Sequence, residues 1–301
     1  MSNTKLRSAK FSINELVKKA NVHSFASQAD MRHMLFRCIK DLHGLGYKLG
    51  HIKGLKARHV YALVEHWKSQ GKNPGTIKNY MSKLRRTASI LNDTKLIKPD
   101  NAAYNIDKRS YIPTINKAIH HIDLSKCTDL YIRLSLESQA LFGLRREESM
   151  KFILSEAYHG DSLAIKPSWT KGGIGRTLKI TNDAQRQWLD KVACQVKPGE
   201  SLIPIDRTYK QHLSHYEAQA KAMGVNKLHG LRHAYAQRRY RELTQFFDPS
   251  KQGMACPLDG GKNPKDMSPL EKEIDRKARQ IISHELGHSR LSITKIYLNF
   301  K

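Results

Sequence analysis

The chain has 301 residues with 53 Lys and Arg against 27 Asp and Glu, a formal charge of +26 and a pI near 10.0. That length suits two domains with real cores, and the charge predicts a polyanionic partner held through counterion release, so that binding falls steeply with salt. Cys38, Cys127, Cys194 and Cys256 are isolated, which excludes a disulfide framework or a cysteine zinc site, and no apolar stretch reaches the length of a membrane span.

The N-terminal residues carry positive charge with no apolar run behind them, so a soluble, intracellular protein without a membrane partner is expected. Both halves are basic: residues 1–110 hold 22 Lys and Arg against 7 Asp and Glu, and residues 111–301 hold 31 against 20. Two modules gripping one duplex fit this split better than a basic tail on a neutral enzyme. A basic surface for ribosomal RNA or acidic lipid is the alternative.

The first hundred residues predict four short helices. Ser12 with Glu15 and Ser27 with Asp30 read as capping boxes, and Met31, Met34, Leu35 and Cys38 repeat on one face before Gly44. Val60, Leu63, Val64 and Trp67 repeat the pattern up to Gly71. Ile77, Tyr80, Met81, Leu84, Ala88 and Leu91 do so again after Asn73-Pro74-Gly75-Thr76. The other face of this fourth helix carries Lys78, Lys83, Arg85 and Arg86, candidates for DNA contact or a solvated charged face.

Polar residues from Asn92 to Pro113 interrupt the periodicity and read as a linker, giving domains 1–105 and 106–301. Beyond it, Lys126 to Leu141 predicts a helix that Gly143 breaks. Ser162–Ile165 and Arg176–Ile180 predict a β-hairpin around Lys171-Gly172-Gly173. Helical patterns return around Trp188, from Tyr209 to Met223, after Arg232 and from Glu271 to Leu286. Glycines and prolines between Thr244 and Pro269 mark an irregular insertion. The fold class is therefore mainly α with a small β-hairpin: a helical N-terminal domain and a mixed α+β C-terminal one.

Cleaving a phosphodiester by displacement needs a nucleophile in line, cationic donors around the non-bridging oxygens and a proton for the departing oxygen. Arginine suits the second task because its planar fork matches phosphate and stays charged. Arg145 sits at a helix break, and His229 and Arg232, three residues apart, can face one point.

Gly143-Leu144-Arg145-x-x-Glu148, His229-x-x-Arg232, Leu286-Gly287-His288 and Tyr297 together resemble the ordered signature of the tyrosine site-specific recombinases, the phage integrase family. The spacing of nine residues from His288 to Tyr297 is similar to that pattern. The resemblance covers residues 120–301 by motif and the N-terminal region by its basic helical character. It implies that Tyr297 is the nucleophile, forming a 3′-phosphotyrosyl link. It also implies that Arg145 and Arg232 clamp the phosphate, that His288 adds a hydrogen bond, and that His229 assists proton transfer at the phenol. Lys171 resembles the hairpin lysine that protonates the 5′-oxygen, with Lys166 and Lys179 as competitors. Glu148 is implied to orient the arginine or histidine without touching phosphate. Arg146 reads as a surface or DNA-backbone residue, and His233 as a packed neighbour.

The resemblance further implies a recombinase that clamps double-stranded DNA as a homotetramer on paired sites and integrates or excises a mobile element. An accessory DNA-bending or directionality factor is expected to assist it, and neither cofactor nor metal is needed. A nicking-closing topoisomerase and a non-catalytic DNA-binding regulator are the alternatives. His284-Glu285-Leu286-Gly287-His288 is also a full H-E-x-x-H, but no third zinc ligand lies beyond it, and a helix packing its apolar side accounts for the segment. The 56-residue interval from Arg232 to His288 exceeds the family's usual one, so the insertion is expected to alter that side of the pocket. Only four residues come after Tyr297, whereas many relatives carry a tail that docks on the neighbouring subunit, so subunit contacts are expected elsewhere.

Overall fold

The computed structural model describes residues 2–20 and 24–299, apart from the side chains of Ser2 and Asn3; Met1, residues 21–23, Phe300 and Lys301 lie outside the described residues. The chain divides into two compact units, Met1–Ser110 and Tyr111–Lys301. No helix among the described residues is long and apolar enough to cross a membrane.

In the first unit α1 (Ser2–Lys19), α2 (Phe25–Gly44), α3 (Ala57–Ser69) and α4 (Pro74–Ile90) pack around one core. The periodic residues supply it: Leu35, Cys38, Val60, Leu63, Trp67 and Met81 are buried. Two capping boxes fall elsewhere than the sequence predicts. Ser12 is buried mid-helix, where its hydroxyl donates to Ala9 O and accepts from Ile52 N, and α2 is capped by Ser24, whose Oγ accepts from Ser27 N. Asn73 caps α4 with Pro74 in its first turn, as the start signal predicts.

The stretch after α4 is not a free linker. Leu96, Ile97, Tyr104 and Ile106 insert into the first unit's core, so the polar residues between them only line its surface. Three cations offered for DNA are tied within the first unit, and one of them, Arg85, holds the segment after α4. Lys83 pairs with Asp30 at 2.6 Å, Arg85 donates to Lys98 O and Asn101 Oδ1, and Arg86 donates to Ala20 O. Among the described residues Lys78 has no such tie.

The second unit is built on α5 (Leu130–Phe142), which packs against α6 (Arg146–Met150), α8 (Asp183–Gln195) and α10 (Gly230–Phe247). Between α6 and α8 lie the short α7 (Leu154–Ala157) and an antiparallel hairpin of β1 (Ser162–Ile165) and β2 (Arg176–Lys179). Its register pairs Ile165 with Arg176 and Leu163 with Leu178, so strand alternation sends Arg176 and Leu178 inward and Thr177 and Lys179 outward. Capping boxes open α9 (Tyr209–Ala222) and α11 (Pro269–Glu285), through Thr208 with Gln211 and Ser268 with Glu271. The insertion is folded. Its Cys256 and Leu258 join α10, α11 and the final short helix α12 (Lys295–Leu298) in one apolar cluster that includes Tyr297.

Gly143 ends α5 at φ +64, and a Cβ there would lie 2.4 Å from Tyr235 Cδ1. Gly143→Ala is therefore expected to cost about 1–3 kcal/mol in thermal unfolding, by overpacking added to left-handed strain. Gly160→Ala is the control, because Gly160 shares the left-handed backbone (φ +72) with nothing within 4 Å of its Cβ position. Equal unfolding midpoints for the two variants would contradict the packing argument.

Candidate active site

The break after α5 places the first arginine. Leu144 is buried, and Arg145 becomes the residue that caps α6, with its N–H donating to Glu148 Oε2 at 2.8 Å and its Nη1 to Glu148 Oε1 at 2.7 Å. Glu148 is fully buried and also receives Arg176 from β2, at 3.1 Å through Nη1 and 2.7 Å through Nη2. Burial alone would raise the carboxyl's pKa, but hydrogen bonds and charge from Arg176, then Arg232 and Arg145, hold it down at about 2. It is therefore an anion near neutral pH.

His229 and Arg232 open α10, and their spacing of three brings both side chains to Tyr297. The phenol oxygen lies 3.3 Å from His229 Nε2 and 3.4 Å from Arg232 Nε. Arg232, 1 % exposed, donates its Nη1 to Gly143 O and its Nη2 to Leu286 O, and that Nη2 lies 3.4 Å from His288 Nε2. Three imidazoles surround the tyrosine ring, with centroid distances of 4.6 Å for His233, 5.6 Å for His288 and 6.0 Å for His229. Burial, reinforced by neighbouring cations, lowers the pKa of His229 to about 4 and of His288 to about 3; burial, with His229 next, lowers His233 to about 4. All three are neutral near pH 7.

The last turn of α11 closes the pocket. Gly287, at φ +61, accepts the left-handed conformation, and the bonds Gly287 N to His284 O and His288 N to Ser283 O complete a Schellman ending. The helix thus stops before His288, so H-E-x-x-H does not present its two imidazoles on one helical face. Glu285 is buried, accepts from Tyr235 Oη at 2.8 Å and pairs with Arg239 at 3.0 Å. No cluster of metal-ligating residues occurs among the described residues. The free carbonyls of this turn take one arginine each: Glu285 O from Arg176, Leu286 O from Arg232 and Gly287 O from Arg145.

Arg145, Glu148 and His229 line a cleft of about 940 Å³ with Lys171 at its rim. Lys171 is exposed in the hairpin turn beside Gly172 and Gly173, both left-handed. Its competitors face elsewhere: Lys166 pairs with Glu156 at 2.7 Å, and Lys179 points outward into a separate groove beside α10 and α11. Arg146 pairs with Glu217 on the surface, as its sequence reading anticipates. The motifs did not reveal Arg176, yet its position shares the strand parity of Leu178 and Ile180, where a buried guanidinium requires a buried acid. Gln237 was missed as well; its Nε2 donates to Tyr297 O at 3.2 Å and to Asn116 Oδ1 at 2.8 Å.

Residues 9–95 match the family model described as the N-terminal part of phage integrases, and residues 110–238 match the one described as integrase. Together they span more than two thirds of the chain. None of the curated protein sequences matches. Among solved structures, the chain is similar to a Tn1549 transposon integrase in complex with transposon right end DNA, with TM-score 0.56 and 12% identity over 96% of both chains. It is similar to a lambda integrase tetramer bound to a Holliday junction, with TM-score 0.54 and 16% identity over 89% of this chain and 80% of that one. The XerH site-specific recombinase bound to difH substrate gives TM-score 0.51 and 16% identity over 97% and 81%. At these identities the structural likeness is one of fold, and the two sequence-family matches give it a family: the chain belongs to the phage integrases, the tyrosine recombinases that cut and rejoin DNA.

Proposed function

We propose that the chain is a site-specific recombinase that cuts one DNA strand at a time with Tyr297 and integrates or excises a mobile element. The observation that carries this reading is the phenol oxygen of Tyr297, placed within 3.3 Å of His229 Nε2 and 3.4 Å of Arg232 Nε. An unperturbed phenol, with a pKa of about 10, is a poor nucleophile near neutrality. Neutral His229 accepts its proton as the oxygen attacks phosphorus. Arg145, Arg232 and His288 donate to the non-bridging oxygens, where negative charge builds up. As the bond from phosphorus to the 5′-oxygen breaks, Lys171 gives that oxygen a proton, leaving a 3′-phosphotyrosine and a 5′-hydroxyl. The phosphotyrosine keeps the energy of the broken bond, so a 5′-hydroxyl from the partner strand reseals the DNA without ATP.

The solved relatives are seen on DNA, one of them as a tetramer on a Holliday junction. By analogy the working form is a homotetramer on paired duplex sites. Residues 1–105 act as a core-binding domain, with Lys78 as its first candidate DNA contact ahead of Lys83, Arg85 and Arg86, and residues 106–301 carry the chemistry. A cytoplasmic, nucleoid-associated location and an accessory DNA-bending or directionality factor complete the proposal.

Tyr297→Phe is expected to abolish covalent capture of a nicked duplex carrying the recombination site while leaving sequence-specific binding within about twofold, a change of only about 0.4 kcal/mol. Covalent capture at the wild-type rate would reject the assignment. Lys171→Ala is expected to slow cleavage about 10²- to 10⁴-fold. A substrate with sulfur at the 5′-bridging position should recover most of that loss, because a thiolate leaves without protonation; equal defects on both substrates would remove Lys171 as the acid.

The histidines set a pH dependence whose sign comes from their depressed folded-state pKa values, about 4 for His229 and His233 and about 3 for His288, against an ordinary 6.5. Between those limits the unfolded chain binds more protons than the native one, so stability falls as the pH drops below about 6.5. Denaturant midpoints measured from pH 7.5 to 4.5 should decrease steadily. The slope should flatten in His233→Phe, and an unchanged slope there would contradict the buried neutral histidine.

A further inference from the structure

We infer that Arg176 is a positioning residue for strand cleavage: it stays off the phosphate and sets Arg145 and His288 by fixing Glu148 and the last turn of α11. The inference rests on the recombinase reading and adds to it a residue outside the motifs that point to that reading.

Arg176 makes no hydrogen bond to the nucleophile. Its side chain is as enclosed as that of Arg232, but Arg232 turns its Nε to the Tyr297 phenol oxygen at 3.4 Å, whereas Arg176 gives Nη1 and Nη2 to the two oxygens of Glu148 and Nε to Glu285 O at 2.6 Å. One end of the guanidinium thus orients the carboxylate that holds Arg145, and the other end holds the backbone from which His288 emerges. A Cβ on Gly287 would stand 3.0 Å from Arg176 Nη1 and 3.3 Å from Arg145 Nη1, so the turn is moulded against both arginines.

The hairpin gives this contact a second consequence. Lys171 and Arg176 belong to the same hairpin, one at its exposed turn and the other at the start of β2. Arg176 therefore ties the segment that delivers the proposed acid to the segment that delivers His288. Lysine in its place has one ammonium and no planar fork, and cannot hold two carboxylate oxygens and a carbonyl at once.

The test compares wild type, Arg176→Lys and Arg176→Gln on a nicked duplex, measuring single-turnover cleavage at saturating protein against pH, and DNA affinity against salt. Both variants are expected to cleave about 10- to 100-fold more slowly, the usual effect of losing the partner of a directly acting group. Affinity and its salt slope should stay at wild-type values. With its main cationic partner gone, Glu148 takes up a proton more readily, so the acid limb of the rate profile should move toward neutral pH.

Wild-type cleavage rates throughout the pH range would overturn the inference. So would a salt slope lowered by about one counterion in Arg176→Gln, since losing a cation from a direct phosphate contact has that effect. If the variants fail to fold by circular dichroism, Glu148→Gln tests the same link with Arg176 intact: it should reproduce the cleavage defect with unchanged DNA affinity, and normal cleavage there would also overturn it. Covalent capture by Tyr297→Phe would instead sink the recombinase chemistry itself, so the two failures are distinguishable.

Discussion

One buried carboxylate lets several guanidinium groups share a site. Glu148 contacts Arg145 and Arg176 directly and lowers the cost of placing Arg232 close by, fully enclosed. Cations at such short range repel one another in a low-dielectric interior, and a buried charge without a partner is among the most expensive features a fold can carry. Even so, burial lowers the pKa of Arg232 only to about 10, so it remains charged near neutral pH. One donor from each arginine goes to a carbonyl at the end of α11, where the helix dipole favours positive charge. The donors for a phosphate are thereby oriented before any substrate arrives, the arrangement that makes electrostatic catalysis effective.

The same enclosure keeps the imidazoles neutral, so positive charge in the pocket is concentrated on the arginines and the bases are free to accept protons. Tyr297 is held from several directions. Its carbonyl accepts from Gln237, its ring packs among histidines, and Asn299, two residues on, accepts from Arg279 at 2.7 Å. The long insertion braces this side. Leu258 packs in the tyrosine's own cluster, and Leu258 O accepts from Asn116, which also pairs with Gln237.

The helical elements were legible because burial tracks periodicity: Leu63, Trp67, Met81 and Ile282 all lie where the repeat places them. Short motifs marked Arg145, His229, Arg232, His288 and Tyr297, and the structure brings these side chains around one pocket. Arg176 escaped because a strand of four residues gives too little alternation to mark a charged residue as buried. Asn116 and Gln237 escaped because pairing across more than a hundred residues leaves no local trace. The segment after α4 looked like a linker because its polar residues outnumber the few, Leu96, Ile97, Tyr104 and Ile106, that anchor it. The cations of α4 looked free because their acceptors, at Ala20, Asp30, Lys98 and Asn101, lie outside α4 at spacings that carry no sequence signature.

The most direct test of the central claim is chemical. A duplex nicked near the recombination site should trap the protein, and proteolysis followed by mass spectrometry should find a nucleotide joined through its 3′-phosphate to the peptide containing Tyr297. A nucleotide on any other residue, or one joined through a 5′-phosphate, would contradict the account.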